Sequence, residues 1–148
     1  MRVLLQRVSR AAVRVGGRTV AEIGPGLLLL VGVGREDGFG EYDRLAEKIF
    51  NLRVFEDAEG KMNRSLSDVG GEVLVVPQFT LYGSVRKGRR PSWDGAAPPQ
   101  IAADRVEAFS RALEARGATV RRGAFREHME VELLNDGPVT LWIDAAEL

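Results

Sequence analysis

The sequence predicts a single α+β domain, rich in β-strands, over residues 1–148. Its length of 148 residues suits one domain. Short apolar and β-branched runs, typical of strands, fill the first third and the tail, and two longer stretches have the period of an amphipathic helix. Because the strands do not alternate strictly with the helices, an α+β architecture is favoured over a doubly wound sheet.

The first third of the chain is predicted to form strands. The runs 3–8 and 12–15 are short and rich in β-branched residues, and Gly16-Gly17 is a two-residue hairpin signal before the return over 18–23. The apolar run 27–33 fits a strand that is buried on both faces.

Helical spacing appears at 41–54 and again at 101–116, where Gly117 marks the end of the second helix. Between them, the apolar run 72–76 predicts another strand. Because Pro77 cannot donate a hydrogen bond to a sheet, this strand should end, bulge or lie at an edge there.

The tail is predicted to be a hairpin. Residues 129–133 and 139–143 alternate apolar and polar side chains, and Asn135-Asp136-Gly137-Pro138 between them has the composition of a turn. A further strand is expected over 120–125.

A long loop is predicted over 82–100, and it carries the one dense basic cluster, formed by Arg86, Lys87, Arg89 and Arg90. The chain has 21 basic and 21 acidic residues, so a nucleic-acid contact would require such a local patch. The cluster is either a solvated loop or a contact for phosphate groups.

Several classes of site are excluded by composition. The chain has no Cys, which removes disulfides, Cys-zinc sites and thiol nucleophiles. His128 is the only His, which excludes sites built on several histidines and argues against a Ser-His-Asp relay. Gly32-Val33-Gly34 follows a strand but lacks the third glycine of a dinucleotide fingerprint. No apolar run is long enough to cross a bilayer, so a cytoplasmic protein without membrane contact is expected.

Two segments have functional as well as structural interpretations. Pro77-Gln78-Phe79-Thr80-Leu81 places an amide, an aromatic ring and a hydroxyl at the end of a buried strand, where sites are common. Gly137-Pro138 is either a tight turn or, with a cis bond, a pair of carbonyls able to hold a cation. The sequence does not decide between these interpretations.

These segments resemble the D-aminoacyl-tRNA deacylase family, also known as D-tyrosyl-tRNA deacylases. The resemblance extends over nearly the whole chain. The segments that carry it are Gln6-Arg7-Val8, Ala12-Val13-Arg14-Val15, Gly26-Leu27-Leu28, residues 57–63, residues 73–81, Gly88-Arg89-Arg90-Pro91-Ser92 and residues 135–140.

The resemblance implies a β-rich, barrel-like fold with two flanking helices, assembled as a homodimer with the active site at the subunit interface. It also implies the reaction: hydrolysis of the ester between a D-amino acid and the 3′-terminal ribose of tRNA. Glycyl-tRNA, including glycine mischarged on tRNA for alanine, is a family substrate. No cofactor or metal is implied.

The resemblance assigns catalysis to Gln78, Phe79 and Thr80. Backbone N–H groups near Phe79 and Thr80 would stabilise the oxyanion, while the tRNA's terminal 2′-hydroxyl replaces a protein nucleophile. Thr80 has been suggested as a nucleophile in the family, but no base accompanies it in this sequence. Gly137-Pro138, with a cis bond and supplied by the partner subunit, would hold the substrate's α-ammonium and reject L side chains.

The substrate-binding set implied by the resemblance also contains Arg7, Met129 and Pro77. Arg7 would fix the orientation of Gly137-Pro138, and Met129 would line the same region. Pro77 stands where the family usually has Ser, and a related animal family with Pro-Gln there, and a trans Gly-Pro bond, clears L-alanine from the wrong tRNA. A relaxed-chirality deacylase acting on L-alanyl-tRNA is therefore one alternative. A non-enzymatic RNA-binding dimer is another, since the neutral net charge and the absence of a catalytic triad would fit it.

Overall fold

A mixed, nearly barrel-shaped sheet of six strands organises the computed structural model, which describes residues 1–38 and 40–148. The strands of the sheet are β1 (Arg2–Val15), β2 (Arg18–Ile23), β3 (Gly26–Gly32), β6 (Glu72–Pro77), β7 (Thr119–Arg122) and β8 (Glu130–Asp144). Their order is β2-β1-β3-β6-β7, with β8 pairing β1. Strand β1 is antiparallel to β2, β3 and β8, whereas β3, β6 and β7 are parallel to one another.

The first two predicted strands form one continuous strand, β1, and the hairpin after it is confirmed. Gly16 and Gly17 both have positive φ, +56° and +78°, which a two-residue hairpin of this kind requires. The run 27–33 is confirmed as a buried strand, since β3 is covered on both faces.

Two helices of three or more turns lie against the sheet, with α1 at Glu41–Asn51 and α3 at Pro99–Ala115. Helix α1 ends three residues before the predicted end because Leu52 turns to an extended conformation. Helix α3 begins earlier than predicted, since Pro99 occupies the first turn, where a missing N–H costs nothing. A short strand pair, β4 (Phe55–Glu56) with β5 (Met62–Arg64), and a one-turn helix α2 (Leu66–Val69) were not predicted.

The main core lies between the sheet and these two helices. Leu45 and Ile49 of α1 and Phe109 and Leu113 of α3 are fully buried there, as their spacing predicts. A smaller apolar cluster on the other face of the sheet contains Leu74 and other residues.

The predicted tail hairpin is wrong. Residues 130–144 form one strand, β8, whose two halves both pair with β1. Asn135-Asp136-Gly137-Pro138 does not reverse the chain. It bulges, since Val8 pairs with Asn135 while Gln6 pairs with Thr140. A 14-residue β1 gives both halves of the tail the same partner, and this long-range pairing overrides the local turn signal.

Candidate active site

A cleft of about 820 Å³ opens where β3 and β6 end. Its walls come from these strand ends, the start of α3 and the segment 125–131. The lining residues are mostly apolar: Val31, Val33, Arg35, Val76, Pro77, Gln78, Phe79, Trp93, Ala96, Ala97, Pro98, Pro99, Ala102, Val106, Phe125, Arg126, Glu127, His128, Met129 and Val131. A largely apolar concavity with few polar groups is the usual form of a small-ligand site.

The end of β6 leads directly into the cleft. Pro77 is the last residue of this strand, which lies between β3 and β7, so of the three predicted outcomes the strand ends there rather than lying at an edge. The Gln78 N–H still donates to the Val31 carbonyl, at 2.7 Å. This hydrogen bond fixes the chain where it leaves the sheet.

A single 3₁₀ turn, Phe79–Tyr82, follows Gln78 and is called the site turn below. The first N–H groups of a helical segment have no acceptor within the segment. No described residue accepts from those of Phe79 and Thr80, which leaves them open to a ligand. Both side chains are exposed, and the Gln78 side-chain amide donates to the Thr80 hydroxyl. No described carboxylate or imidazole accepts from that hydroxyl, which leaves Thr80 without a general base.

Glycines beneath the site turn allow it to pack closely on β3. A Cβ at Gly32 would lie 3.0 Å from the Gln78 carbonyl oxygen, and one at Gly34 would lie 2.5 Å from the Tyr82 ring. Gly32-Val33-Gly34 is therefore explained by this close approach.

Polar contacts hold the end of the site turn. The Arg2 guanidinium donates to the Leu81 carbonyl at 3.1 Å and lies over the Tyr82 ring, 4.3 Å from its centroid. The Tyr82 hydroxyl donates to the Asp37 carboxylate at 3.1 Å. Burial and the neighbouring Asp37 charge raise the pKa of the Tyr82 phenol above its usual value, so it remains a donor at neutral pH.

The Gly137-Pro138 segment is held by Arg7. This arginine is buried on β1, and its guanidinium donates to the carbonyls of Asp136, at 2.8 Å, and Val54, at 2.6 Å. The Glu56 carboxylate lies 3.5 Å from the same guanidinium. The Gly137-Pro138 bond is cis, and both residues are exposed.

The Asn135 side chain forms hydrogen bonds across the bulge. Its carbonyl oxygen accepts from the Val139 N–H at 2.8 Å, and its amide donates to the Thr140 hydroxyl at 2.9 Å. The exposed pair Gly137-Pro138 is therefore fixed on one side by Arg7 and on the other by Asn135.

The structure brings only part of the predicted site together within one chain. Pro77, Gln78, Phe79 and Met129 line the cleft, with the Met129 sulfur accepting from the Ala124 N–H at 3.3 Å. The other predicted site residues do not line it: Thr80 lies beside it on the site turn, and Arg7, Gly137 and Pro138 lie at the β8 bulge.

The predicted basic cluster is exposed at the end of a loop. Two backbone hydrogen bonds between Ser84 and Ser92, at 2.9 and 3.0 Å, close the loop at its base. In the part of the chain that the structure describes, none of Arg86, Lys87, Arg89 and Arg90 forms a salt bridge. Their charges are available to an anionic partner.

Sequence reasoning missed Arg2, Tyr82 and Trp93. Trp93 lies against Phe79 with its ring edge-on, the centroids being 5.3 Å apart. The only signal for Trp93 was its place directly after the Arg-Pro-Ser segment of the family pattern. Residues 1–38 and 40–148 contain no cluster of three or more potential metal ligands and no helix long and apolar enough to span a bilayer.

Comparison with known proteins places these features in a family. Residues 4–144 match the family model described as D-Tyr-tRNA(Tyr) deacylase. The chain is 59% identical over 148 residues to a D-aminoacyl-tRNA deacylase of Thermomicrobium roseum, covering all of this chain and 96% of that protein. It is 57% identical over 145 residues to the enzyme of the same name from Symbiobacterium thermophilum, covering 98% and 96% of the two chains.

Two solved structures share the fold. One, described as a c-Myc DNA unwinding element binding protein, has a TM-score of 0.91 and 39% identity, covering 97% of this chain and 98% of that one. The other, described as a probable eukaryotic D-amino acid tRNA deacylase, has a TM-score of 0.80 and 17% identity over 96% and 97% of the chains, and supports the fold alone.

Proposed function

Because the chain belongs to the D-Tyr-tRNA(Tyr) deacylase family, we propose that it hydrolyses the ester bond of D-aminoacyl-tRNA and releases the free D-amino acid and tRNA. Glycyl-tRNA mischarged on tRNA for alanine is a second substrate, since glycine has no side chain to exclude. The observation that carries the proposal is the site turn, which presents open N–H groups beside an apolar cleft at the end of β6.

Catalysis in this proposal comes from the backbone of the site turn. Water adds to the ester carbonyl carbon and places negative charge on the carbonyl oxygen, and the N–H groups of Phe79 and Thr80 donate to that oxyanion. A donor of this kind contributes about 3–4 kcal/mol to transition-state binding. Collapse of the intermediate breaks the bond to the ribose 3′-oxygen, which leaves with a proton from the water. The terminal 2′-hydroxyl of the tRNA activates this water in place of a protein group. This agrees with the Thr80 hydroxyl, whose one partner among the described residues is the Gln78 amide. The reaction needs no metal or cofactor.

Chirality is selected by Gly137-Pro138 in this proposal. The backbone carbonyls of this segment accept hydrogen bonds from the α-ammonium of the substrate, which leaves no room for an L side chain. Contacts to the backbone do not depend on the identity of a D side chain, so many D-amino acids are accepted. The hydrogen bonds from Arg7 and Asn135 supply the rigidity that such a filter requires.

The filter belongs to the partner subunit of a homodimer. Two observations support this step: Gly137 and Pro138 are exposed and do not line the cleft of their own chain, and Leu134, Leu141 and Trp142 on the same strand are exposed apolar side chains. Each cleft is completed when β8 of a second copy delivers its bulge.

The nucleic acid is bound through its 3′ end. The terminal adenosine packs into the apolar cleft near Phe79, and the basic cluster contacts phosphates of the tRNA. Charged tRNA is found where translation takes place, so the protein acts in the cytoplasm.

A second activity follows from Pro77. This residue lines the cleft, at the position where the family usually has Ser. A relaxed-chirality deacylase that also cleaves L-alanyl-tRNA is therefore the alternative.

Deacylation of four substrates tests the proposal: D-tyrosyl-, L-tyrosyl-, glycyl- and L-alanyl-tRNA, each with and without excess chelator. We expect rapid loss of the D-tyrosyl and glycyl esters, intact L esters and no effect of the chelator. Cleavage of L-alanyl-tRNA would establish the relaxed alternative. Salt-sensitive tRNA binding without any cleavage would refute the enzymatic assignment and indicate a non-enzymatic RNA-binding dimer.

A further inference from the structure

Trp93 lines the cleft and contacts the site turn through Phe79. Its ring lies edge-on to Phe79 with an interplanar angle of 75°, and the two side chains are 41% and 54% exposed. Such edge-to-face pairs prefer one geometry, so each ring restricts the other. Phe79 is the first residue of the turn, and its backbone N–H is one of the two proposed oxyanion donors.

The Trp93 ring also covers the other end of the turn. A Cβ at Gly83 would lie 2.6 Å from Trp93 Cζ3 and 2.9 Å from the Thr80 carbonyl oxygen. Gly83 has a φ of −67°, which any residue adopts, so the glycine is explained by this contact rather than by its backbone conformation. The indole therefore touches the site turn at both ends.

The backbone around Trp93 is itself fixed to the sheet. The Trp93 carbonyl accepts from the Ala96 N–H at 2.9 Å, and the segment after it is bound to the end of β3 by Arg35 N–H to Gly95 and Ala97 N–H to Val33, both at 2.9 Å. The Ser84–Ser92 pair anchors it on the other side. These hydrogen bonds fix the position of the Trp93 backbone relative to the site turn.

We propose that Trp93 is a positioning residue that sets the orientation of the Phe79 and Thr80 N–H groups by holding the site turn between Phe79 and Gly83. This inference rests on the proposed function, in which those N–H groups bind the oxyanion. Because hydrogen-bond strength depends steeply on geometry, a turn without this contact binds the transition state less well while the cleft still admits the substrate.

Single-turnover deacylation of D-tyrosyl-tRNA tests the proposal, with the rate constant at saturating enzyme and the half-saturating concentration measured separately. For Trp93→Ala we expect the saturating rate constant to fall by about tenfold to a hundredfold. The half-saturating concentration should stay within about threefold, because an interaction needed only in the transition state is removed. Trp93→Phe should restore most of the rate, since a phenyl ring keeps an edge-to-face contact.

Gly83→Ala gives a second test when it is measured in both the wild-type and the Trp93→Ala background. The added methyl would meet the Trp93 ring at 2.6 Å and the Thr80 carbonyl oxygen at 2.9 Å, so the rate constant should fall in the wild-type background. The part of that fall that disappears in the Trp93→Ala background is the part that acts through the indole. Gly95→Ala is the matched control in the same loop. Its Cβ would meet only ordinary contacts, the nearest 3.6 Å away, and its rate should be unchanged.

The outcomes are separable. A wild-type rate constant in Trp93→Ala, or a loss confined to the half-saturating concentration, would overturn the proposal, the latter because Trp93 would then contact the substrate itself. If Trp93→Ala does not fold, Trp93→Leu, which keeps apolar bulk but has no ring, is measured in its place by the same criteria. A wild-type protein that cleaves no ester refutes the proposed function, and the inference falls with it.

Discussion

Replacing Arg7 with Lys removes the fork that holds the Gly137-Pro138 segment while keeping the positive charge. The guanidinium donates to two carbonyls, those of Asp136 and Val54, from a buried position. A single ammonium group on a shorter stem reaches one of them, so one charge-assisted hydrogen bond is lost. We expect the bond to the exposed Asp136 to be lost and the buried bond to the Val54 carbonyl to be kept. The loss corresponds to about 2 kcal/mol of unfolding free energy.

The change should also reduce chiral selection. The Asp136 carbonyl directly precedes Gly137, so a segment released at this point samples other orientations. We expect Arg7→Lys to lower the ratio of D-tyrosyl- to L-tyrosyl-tRNA cleavage, chiefly by slowing the D reaction.

Two measurements test these expectations: unfolding in urea, and the ratio of D-tyrosyl- to L-tyrosyl-tRNA cleavage. Unfolding is measured at one fixed protein concentration, because the stability of an associating protein depends on its concentration. Arg10→Lys is the matched control, because Arg10 lies on the same strand but is exposed, and its guanidinium pairs with one described carboxylate, that of Glu132. Its unfolding free energy should change by less than about 0.5 kcal/mol. If Arg7→Lys and Arg10→Lys have the same unfolding free energy and the same ratio of D- to L-tyrosyl-tRNA cleavage, the claim that the Arg7 guanidinium holds the Gly137-Pro138 segment is refuted.

Three other changes give separate tests. Thr80→Ala keeps the backbone N–H and should retain substantial activity, whereas loss of a true nucleophile would cost roughly 10⁴-fold or more in single-turnover rate. Neutralising Arg89 and Arg90 together should reduce the slope of log affinity for tRNA against log salt by about 1.5, and an unchanged slope would exclude a phosphate contact. Tyr82 should ionise above the usual value near pH 10 in an absorbance titration, and Tyr82→Phe should abolish this late component. Burial raises the pKa of the Tyr82 phenol in the folded protein above its value of about 10 in the unfolded chain, so the free energy of unfolding of the wild-type protein should fall as the pH rises above 10. Tyr82→Phe has no phenol to ionise, so the difference in unfolding free energy between the two proteins should narrow over this pH range.

The sequence predicts correctly those elements whose physical cause lies within a few residues of the element itself. The hairpin at Gly16-Gly17 depends on adjacent residues of positive φ, and the apolar stripe of α1 depends on spacing within one helix. The end of β6 followed from the missing N–H of Pro77. In each case the sequence contains the physical reason within a few positions.

The errors and omissions have causes that are distant in sequence. The tail was predicted to turn at Asn135–Pro138 because the turn residues are local, whereas its continuous pairing depends on β1, more than a hundred residues away. Gly32 and Gly34 gave no hint of the Tyr82 ring that packs on them. Trp93 meets Phe79 only because the intervening loop closes at Ser84 and Ser92.

For the candidate site as well, part could be predicted from the sequence and part could not. The resemblance predicts which residues form the site, including Gln78, Phe79, Gly137 and Pro138, but it does not predict how they are held. The buried guanidinium of Arg7 and its two carbonyl acceptors come from three separate strands or loops, an arrangement that no spacing rule predicts.

The pairing of β1 with β8 has a consequence for synthesis of the protein. As the ribosome extends the chain, β1 obtains β2 and β3 early, but one of its edges stays open until residues 130–144 emerge. An open edge of an apolar strand is a template for pairing with other nascent chains. Pairing of β8 with β1 therefore completes the sheet and removes the edge at which nascent chains could aggregate. Chains truncated before β8 should be captured by chaperones or precipitate.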